Sequence, residues 1–164
     1  MARSDKQTKH TDGKHTKHTA NTGTKFTRQA QSTQTDLDQR HMVWVFHRVV
    51  RTGKFSFTSD RSDFDSKEIL DTVIEYNQLT WAEIMRATHG TRGKTNHHYI
   101  GDHLDDLSKA AKDDVRKFVE EQQLDKLFSF RLNGKTRIYG LRDGEKFEVM
   151  WYDPNHEFYP TKNR

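Results

Sequence analysis

The chain contains no cysteine. That excludes disulfides and cysteine-ligated zinc, and it is compatible with a reducing compartment. No apolar run approaches the ~20 residues of a membrane-spanning helix. The N-terminus also lacks the apolar core of a secretory signal. These features lead us to expect a cytoplasmic protein with no membrane partner. Apolar side chains are scarce overall, at 31% of 164 residues, and the scarcity is local. Phe26 and Leu37 are almost the only large apolar residues in 1–40. Such a segment cannot offset its ordering entropy by burial and reads as a disordered tail. The chain has no acidic excess either. Its net charge is +4, and residues 1–40, with eight Lys/Arg against four Asp/Glu, account for all of it. The remainder is electrically balanced, so its net charge gives no argument for nucleic-acid binding.

What the tail does contain is a repeated theme, Thr8-Lys9-His10-Thr11 and then Lys14-His15-Thr16-Lys17-His18-Thr19. Three readings compete: a basic arm with salt-sensitive attraction to RNA or DNA, a loose metal site at His10, His15 and His18, or an inert leader. The last is favoured, and a single domain is expected over 41–164.

The last third, Leu127 to Tyr159, reads as three antiparallel strands. Asn133-Gly134 and Asp143-Gly144 are hairpin signals, because tight turns need positive φ and Gly or Asn accepts it cheaply. Phe128, Phe130 and Leu132 share one face of the first strand. A two-residue turn at Asn133-Gly134 would push Arg137 into the core. A loop of Asn133-Gly134-Lys135 instead pairs Phe130 with Ile138 and Arg131 with Arg137, and a one-residue slip flips every side chain, so the odd loop is selected. A two-residue turn at Asp143-Gly144 then pairs Ile138 with Val149 and Gly140 with Phe147. The expected core face is Phe128, Phe130, Leu132, Ile138, Phe147, Val149 and Trp151. The expected open face carries Arg131, Arg137, Tyr139, Glu148, Met150 and Tyr152, with His156 just past the strand end.

Upstream, Val43 to Val50 is rich in β-branched and aromatic residues and predicts a buried strand, with His47 as a hydrogen-bonded structural residue. Lys54 to Thr58 alternates as a second strand. Asp65-x-x-Glu68 and Thr80-x-x-Glu83 are capping boxes that open two helices. Ile69, Leu70, Val73 and Ile74 line the first, and Trp81, Ile84 and Met85 the second. Ser108 caps a third helix over Lys109 to Gln123, with Ala111, Val115, Phe118, Val119 and Gln122 inward. The fold class is α+β: an antiparallel sheet of about four to five strands packed against two to three helices.

Adjacent arginines on one sheet face repel each other. Their compensation would be Glu148 or an anionic ligand; an ordinary solvated face is the plainer alternative. The polar loop 91–101 holds Arg92, Lys94, His97 and His98. Adjacent histidines point apart, and even with His103 they lack the spacing of a zinc site, so no metal or other cofactor is expected. Strand, helices, then three antiparallel strands with a histidine past the last resembles the RelE/HigB-like bacterial toxins. The resemblance implies a metal-independent endoribonuclease that acts on RNA, free or on the ribosome, with an antitoxin protein as partner. Positions matching in kind are Arg131, Arg137, Tyr139 and His156.

The chemistry fits these residue types. Cleavage needs a base for the 2′-OH, stabilisation of a pentacoordinate phosphorane, and an acid for the 5′-oxygen. A guanidinium grips phosphate oxygens bidentately, and histidine titrates near neutrality. Arg131 and Arg137 would hold the phosphate, His156 would move a proton, and His97 or His98 would supply the second carrier. Tyr139 or Tyr152 would stack a base or orient the phosphate. Arg92, Lys94 and Lys135 would add substrate contacts. Two other classes stay open: a non-catalytic RNA- or ribosome-binding module using the same face, and a protein-interaction module using Tyr152, Phe158 and Tyr159.

Overall fold

The computed structural model describes residues 34–89 and 93–160. His10, His15 and His18 therefore lie outside the described residues, as does Arg92. The described chain is α+β. Its main sheet has five strands: β1 (Val43–Val45), β4 (His98–Tyr99), β5 (Leu127–Arg131), β6 (Arg137–Asp143) and β7 (Lys146–Asp153). Their spatial order is β1-β7-β6-β5-β4. All pairings are antiparallel except β1 with β7, which is parallel. A second ribbon pairs β2 (Thr88–His89) with β3 (Lys94–Thr95).

The first strand is shorter than expected. After Val45 the chain leaves the ladder, leaving Phe46 and His47 exposed, and it rejoins the β7 edge only through single bonds. Val50 N–H donates to the Met150 carbonyl at 2.9 Å, and Tyr152 N–H to the Phe55 carbonyl at 3.0 Å. Lys54 to Thr58 is consequently not a strand. His47 is exposed, not a buried structural histidine.

Helix α1 (Ser66–Tyr76) begins where the sequence signals it, with the Asp65 carboxylate accepting from Glu68 N–H at 2.8 Å. It buries Ile69 and Thr72 and leaves Leu70 and Ile74 exposed, so the inward stripe is narrower than the apolar pattern. Helix α2 (Trp81–Arg86) has the complete reciprocal box of Thr80 and Glu83. Trp81 has no exposed surface, and its indole N–H donates to the Glu145 carbonyl at 2.9 Å. Burying such a side chain contributes on the order of 2–3 kcal/mol. Helix α3 (Lys109–Phe118) is capped by Ser108 but stops early, because Val119 adopts extended φ/ψ. A 3₁₀ turn over Glu121–Lys126 follows.

Both faces of the sheet are buried. Phe128, Phe130, Ile138, Phe147, Val149 and Tyr152 pack against Met42, Ile69, Trp81 and Ile84 beneath α1 and α2. Leu127, Tyr139, Leu141, Met150 and Trp151 pack against Phe55, Ala111, Val115 and Phe158 beneath α3. This corrects the expected open face: much of it is a second core.

The register explains the correction. β5 and β6 pair as expected, Phe130 opposite Ile138 and Arg131 opposite Arg137. β6 and β7 do not. Their turn is Gly144-Glu145, with Gly144 at φ 61. Gly140 lies opposite Val149, a bulge follows at Tyr139/Gly140, and Ile138 meets Tyr152. Trp151 and Tyr152 have thereby exchanged faces relative to the sequence reading.

The N-terminal side is fastened to this sheet. Residues 34–38 are helical. Asp38 ion-pairs with Arg142, which also bonds the Tyr99 hydroxyl at 3.0 Å and the Gly144 carbonyl at 3.3 Å. The Arg142 guanidinium lies 4.2 Å from the Trp81 ring centroid, a cation–π contact inside the fold.

The bulge depends on Gly140. A Cβ there would stand 2.1 Å from the Glu148 carbonyl oxygen. Backbone cannot move aside as a rotamer can, so Gly140→Ala is expected to destabilise by about 2–4 kcal/mol. The measurement is the urea unfolding midpoint. An unchanged midpoint would show that the strands do not approach so closely.

Candidate functional site

The chemistry-bearing residues gather at one end of the sheet, on the α3 side. Pairing places Arg131, Arg137 and Asp153 in one row across β5, β6 and β7. The next row holds His98, Ser129, Tyr139 and Trp151 across β4 to β7. Pleating sends a whole row to one side of the sheet. The loop after β7 adds His156.

Arg137 is the centre of the group. It is 8% exposed, and its Nη1 donates to the carbonyls of Gly134 (3.1 Å) and Thr136 (2.8 Å). Burial and the neighbouring Arg131 charge lower its pKa to about 10, opposed by Tyr139 and Asp153. Among the described residues neither Arg131 nor Arg137 has a carboxylate within ion-pair distance. Glu148 does not fill that place: it pairs with Arg48 at 3.1 Å, because the shifted register puts it opposite Leu141.

Two half-buried imidazoles lie within the electrostatic reach of the arginine. His98 has its pKa lowered by burial and then by Arg137, His156 and His103. His156 has its own lowered by burial and then by Arg137, with Arg131 adding to the effect and Asp153 opposing it. Both are therefore neutral at about pH 7. His156 has φ 62, the left-handed region. The His98 ring lies 6.0 Å from that of Tyr159.

His97 faces the other way, as adjacency on an extended chain requires. Its ring packs on Phe130 at 4.1 Å and Tyr76 at 5.3 Å, and Nδ1 accepts from Arg131 N–H at 3.1 Å. The proton of this neutral ring is therefore on Nε2, which is buried with no hydrogen-bond partner. Burial, with smaller contributions from Arg137, His98 and Arg131, lowers the His97 pKa to about 3. Of the two adjacent histidines, His98 belongs to the cluster and His97 to the core.

The tyrosines are walls. Tyr139 has no exposed surface and stacks on Phe158 at 4.2 Å. Burial raises its pKa, so it is a neutral phenol. Its hydroxyl makes no hydrogen bond of normal geometry, although Ser129 and the Tyr159 backbone lie near enough to oppose the rise. Tyr152 lies on the opposite face, where its hydroxyl donates to the Asp63 carbonyl and accepts from Asp65 N–H, each at 3.2 Å. Neither ring is free to stack on a base. Lys135 is exposed at the tip of the β5–β6 hairpin, beside the cluster. Lys94 is in β3, and its side chain lies outside what is described. Among the described residues no group of three or more His, Asp or Glu side chains converges as metal ligands would.

Asp153 is the residue the sequence reading missed. It is 1% exposed and shares a row with Arg137. Its Asp-Pro-Asn context signalled a turn, but only the bulged register shows that the carboxylate lies beside the arginines. The arrangement holds two guanidinium charges, one carboxylate and two neutral imidazoles, and it leaves one positive charge for an anion. Comparison with protein-family models, curated proteins and solved structures found no match.

His97 gives a test of the core side. Its folded pKa lies below that of the unfolded chain, so the unfolded chain takes up the proton more readily. The stability attached to neutral His97 is full above about pH 6.5 and is lost as pH falls toward about 3. Between about pH 7 and about pH 4 the loss is on the order of 3 kcal/mol. His97→Gln, which can still accept from Arg131 N–H, is expected to flatten that decline in thermal unfolding. Parallel pH dependences in the two proteins would show that His97 is not held neutral in the core.

Proposed function

We propose that Arg131, Arg137, His98 and His156 bind an RNA phosphodiester and cleave it without a metal, as a toxin-type endoribonuclease would. The observation that supports this reading most is Arg137: a nearly buried cation with no carboxylate partner among the described residues, whose charge acts on two neutral imidazoles. An anion would complete the charge balance there, and the imidazoles are the groups that would move protons.

In the proposed reaction one neutral imidazole takes the 2′-OH proton as O2′ attacks phosphorus. The P–O5′ bond breaks, and the protonated second imidazole gives its proton to O5′. The products are a 2′,3′-cyclic phosphate and a 5′-hydroxyl, so atoms and protons balance. The guanidiniums stabilise the charge that grows on the equatorial oxygens. Bound phosphate also favours protonation of the second imidazole, because a nearby negative charge raises a histidine pKa. In RelE/HigB-like terms an inhibitory protein would cover this end of the sheet.

A non-catalytic RNA-binding module uses the same residues and is the second reading; product analysis separates the two. The interaction-module reading loses two of its aromatics, since Tyr152 and Phe158 are buried.

The test is RNA cleavage by the full chain in EDTA, followed by end-group analysis. Arg137→Ala, His98→Ala and His156→Ala are each expected to lower kcat/KM by about 10²-fold or more, and His97→Gln much less. Because both imidazole pKa values lie below the ordinary value, the acid form is scarce at neutrality. The rate is expected to rise as pH falls below neutrality and to decline again once the base imidazole is itself protonated. Binding that weakens with salt while RNA stays intact would replace cleavage by the second reading. Cleavage that survives all three substitutions in folded protein would end the proposal.

A further inference from the structure

The loop that carries His156 is built around one carboxylate. Asp153 Oδ1 accepts from the N–H groups of Asn155 (3.2 Å) and Glu157 (3.1 Å), and Oδ2 accepts from Phe158 N–H (2.8 Å). Three backbone donors of a six-residue turn thus converge on a side chain that is itself almost fully buried. None of these bonds is made by Arg137, which faces Asp153 across the ladder, so the carboxylate is engaged by the turn rather than spent in an ion pair. Inside this turn His156 takes φ 62. A non-glycine residue enters that region at a cost and stays there when its surroundings over-determine it. Phe158, held by the third bond, is the ring on which Tyr139 stacks.

We propose that Asp153 is a positioning residue: by gathering the N–H groups of Asn155, Glu157 and Phe158 it fixes the turn that holds His156 against Arg137. The inference rests on the reading of His156 as a proton carrier. Its structural part stands on the turn alone. Around His156 stand Asp153 of β7, Arg137 of β6, Arg131 of β5 and His98 of β4, while the neighbouring Glu157 pairs with Lys54 at 2.8 Å. Asp153 is thus the one carboxylate among the described groups that acts on His156. Two roles for it predict opposite shifts. If it acted only as a nearby negative charge, removing that charge would push the His156 pKa further down. If it builds the turn, removing it releases the imidazole toward water, and the pKa climbs toward the ordinary ~6.5.

The experiment follows the His156 ring proton by NMR against pH in the full chain, as wild type and as Asp153→Asn. Asn cannot serve Phe158 N–H with its amide nitrogen, so the turn is expected to open and the His156 pKa to rise. An unchanged or lower value overturns the proposal. A second reading comes from His156→Gly, which relieves the left-handed backbone. It is expected to raise Tm by about 2–4 °C in the wild-type background and to give no gain on top of Asp153→Asn. An equal gain in both backgrounds would show that Asp153 does not impose the conformation. Should Asp153→Asn not fold, amide exchange in the wild type decides: Asn155, Glu157 and Phe158 are expected to exchange slowly, and rapid exchange at all three sinks the inference. RNA cleavage is scored separately. An Asp153→Asn protein with a released His156 is expected to lose about 10- to 100-fold in kcat. If His156→Ala cleaves as well as wild type, the functional reading fails, and the titration, Tm and exchange results still decide the role of Asp153.

Discussion

Glu148 presents its carbonyl so close to Gly140 that no side chain fits between them, and the two-faced sheet depends on that approach. The bulge beside Gly140 gives β7 an extra residue relative to β6. From there on, side chains that would have pointed one way point the other. Tyr152 joins the core under α1 and α2, and Trp151 joins the core under α3. Without the bulge Trp151 and Asp153 would fall on the α1/α2 face with Phe147 and Val149, and Tyr152 would fall on the α3 face. The same shift carries Asp153 into the row of Arg137. A steric limit at one glycine thus sets both how the sheet is buried and which charges meet at its end.

The electrostatics at that end are unbalanced in a specific way. Surface ion pairs elsewhere in the molecule match charge with charge, as Lys126 does with Asp143 and Lys54 with Glu157. At Arg137 the fold instead uses backbone carbonyls as acceptors and commits the nearby carboxylate to a turn. Burying a cation without a carboxylate is costly, and the lowered pKa of Arg137 records that cost. The two neighbouring histidines stay neutral chiefly through burial, with the Arg137 charge adding to it. In the reading proposed above, that imbalance is what an anionic partner would answer.

Much of this was legible along the chain. The capping residues Asp65, Thr80 and Ser108 mark helix starts because their side chains compete for the first free N–H groups, a local effect. The Arg131–Arg137 pairing followed from alternation and one loop length. What failed was non-local. The stretch after Val45 has strand composition, yet it lacks a partner until Val50 and Phe55 reach β7, so propensity lost to topology. The bulge at Gly140 was hidden because a glycine in a strand signals close approach without saying what approaches. That single omission misassigned Trp151, Tyr152 and the partner of Glu148. His97 and His98 were correctly expected to diverge, and only the β4–β5 pairing shows which of them joins the arginines. Helix α3 ended early because Val119 turns to extended geometry, although its apolar spacing continues.

The contact between Asp38 and Arg142 bears on where the folded unit begins. Arg142 lies at the far end of β6 from Arg137 and on the opposite face, wedged against Trp81, with Asp38 as its carboxylate. A chain cut at Met42, at the first strand signal, would keep β1 to β7 and α1 to α3 yet lose the helical residues 34–38 and leave that guanidinium enclosed without its counter-charge. Arg40, which meets Glu145 at 3.4 Å, would be lost in the same cut. The boundary drawn by electrostatics therefore lies upstream of the boundary drawn by hydrophobicity, and a short polar stretch that composition alone assigns to the tail is ion-paired to the sheet.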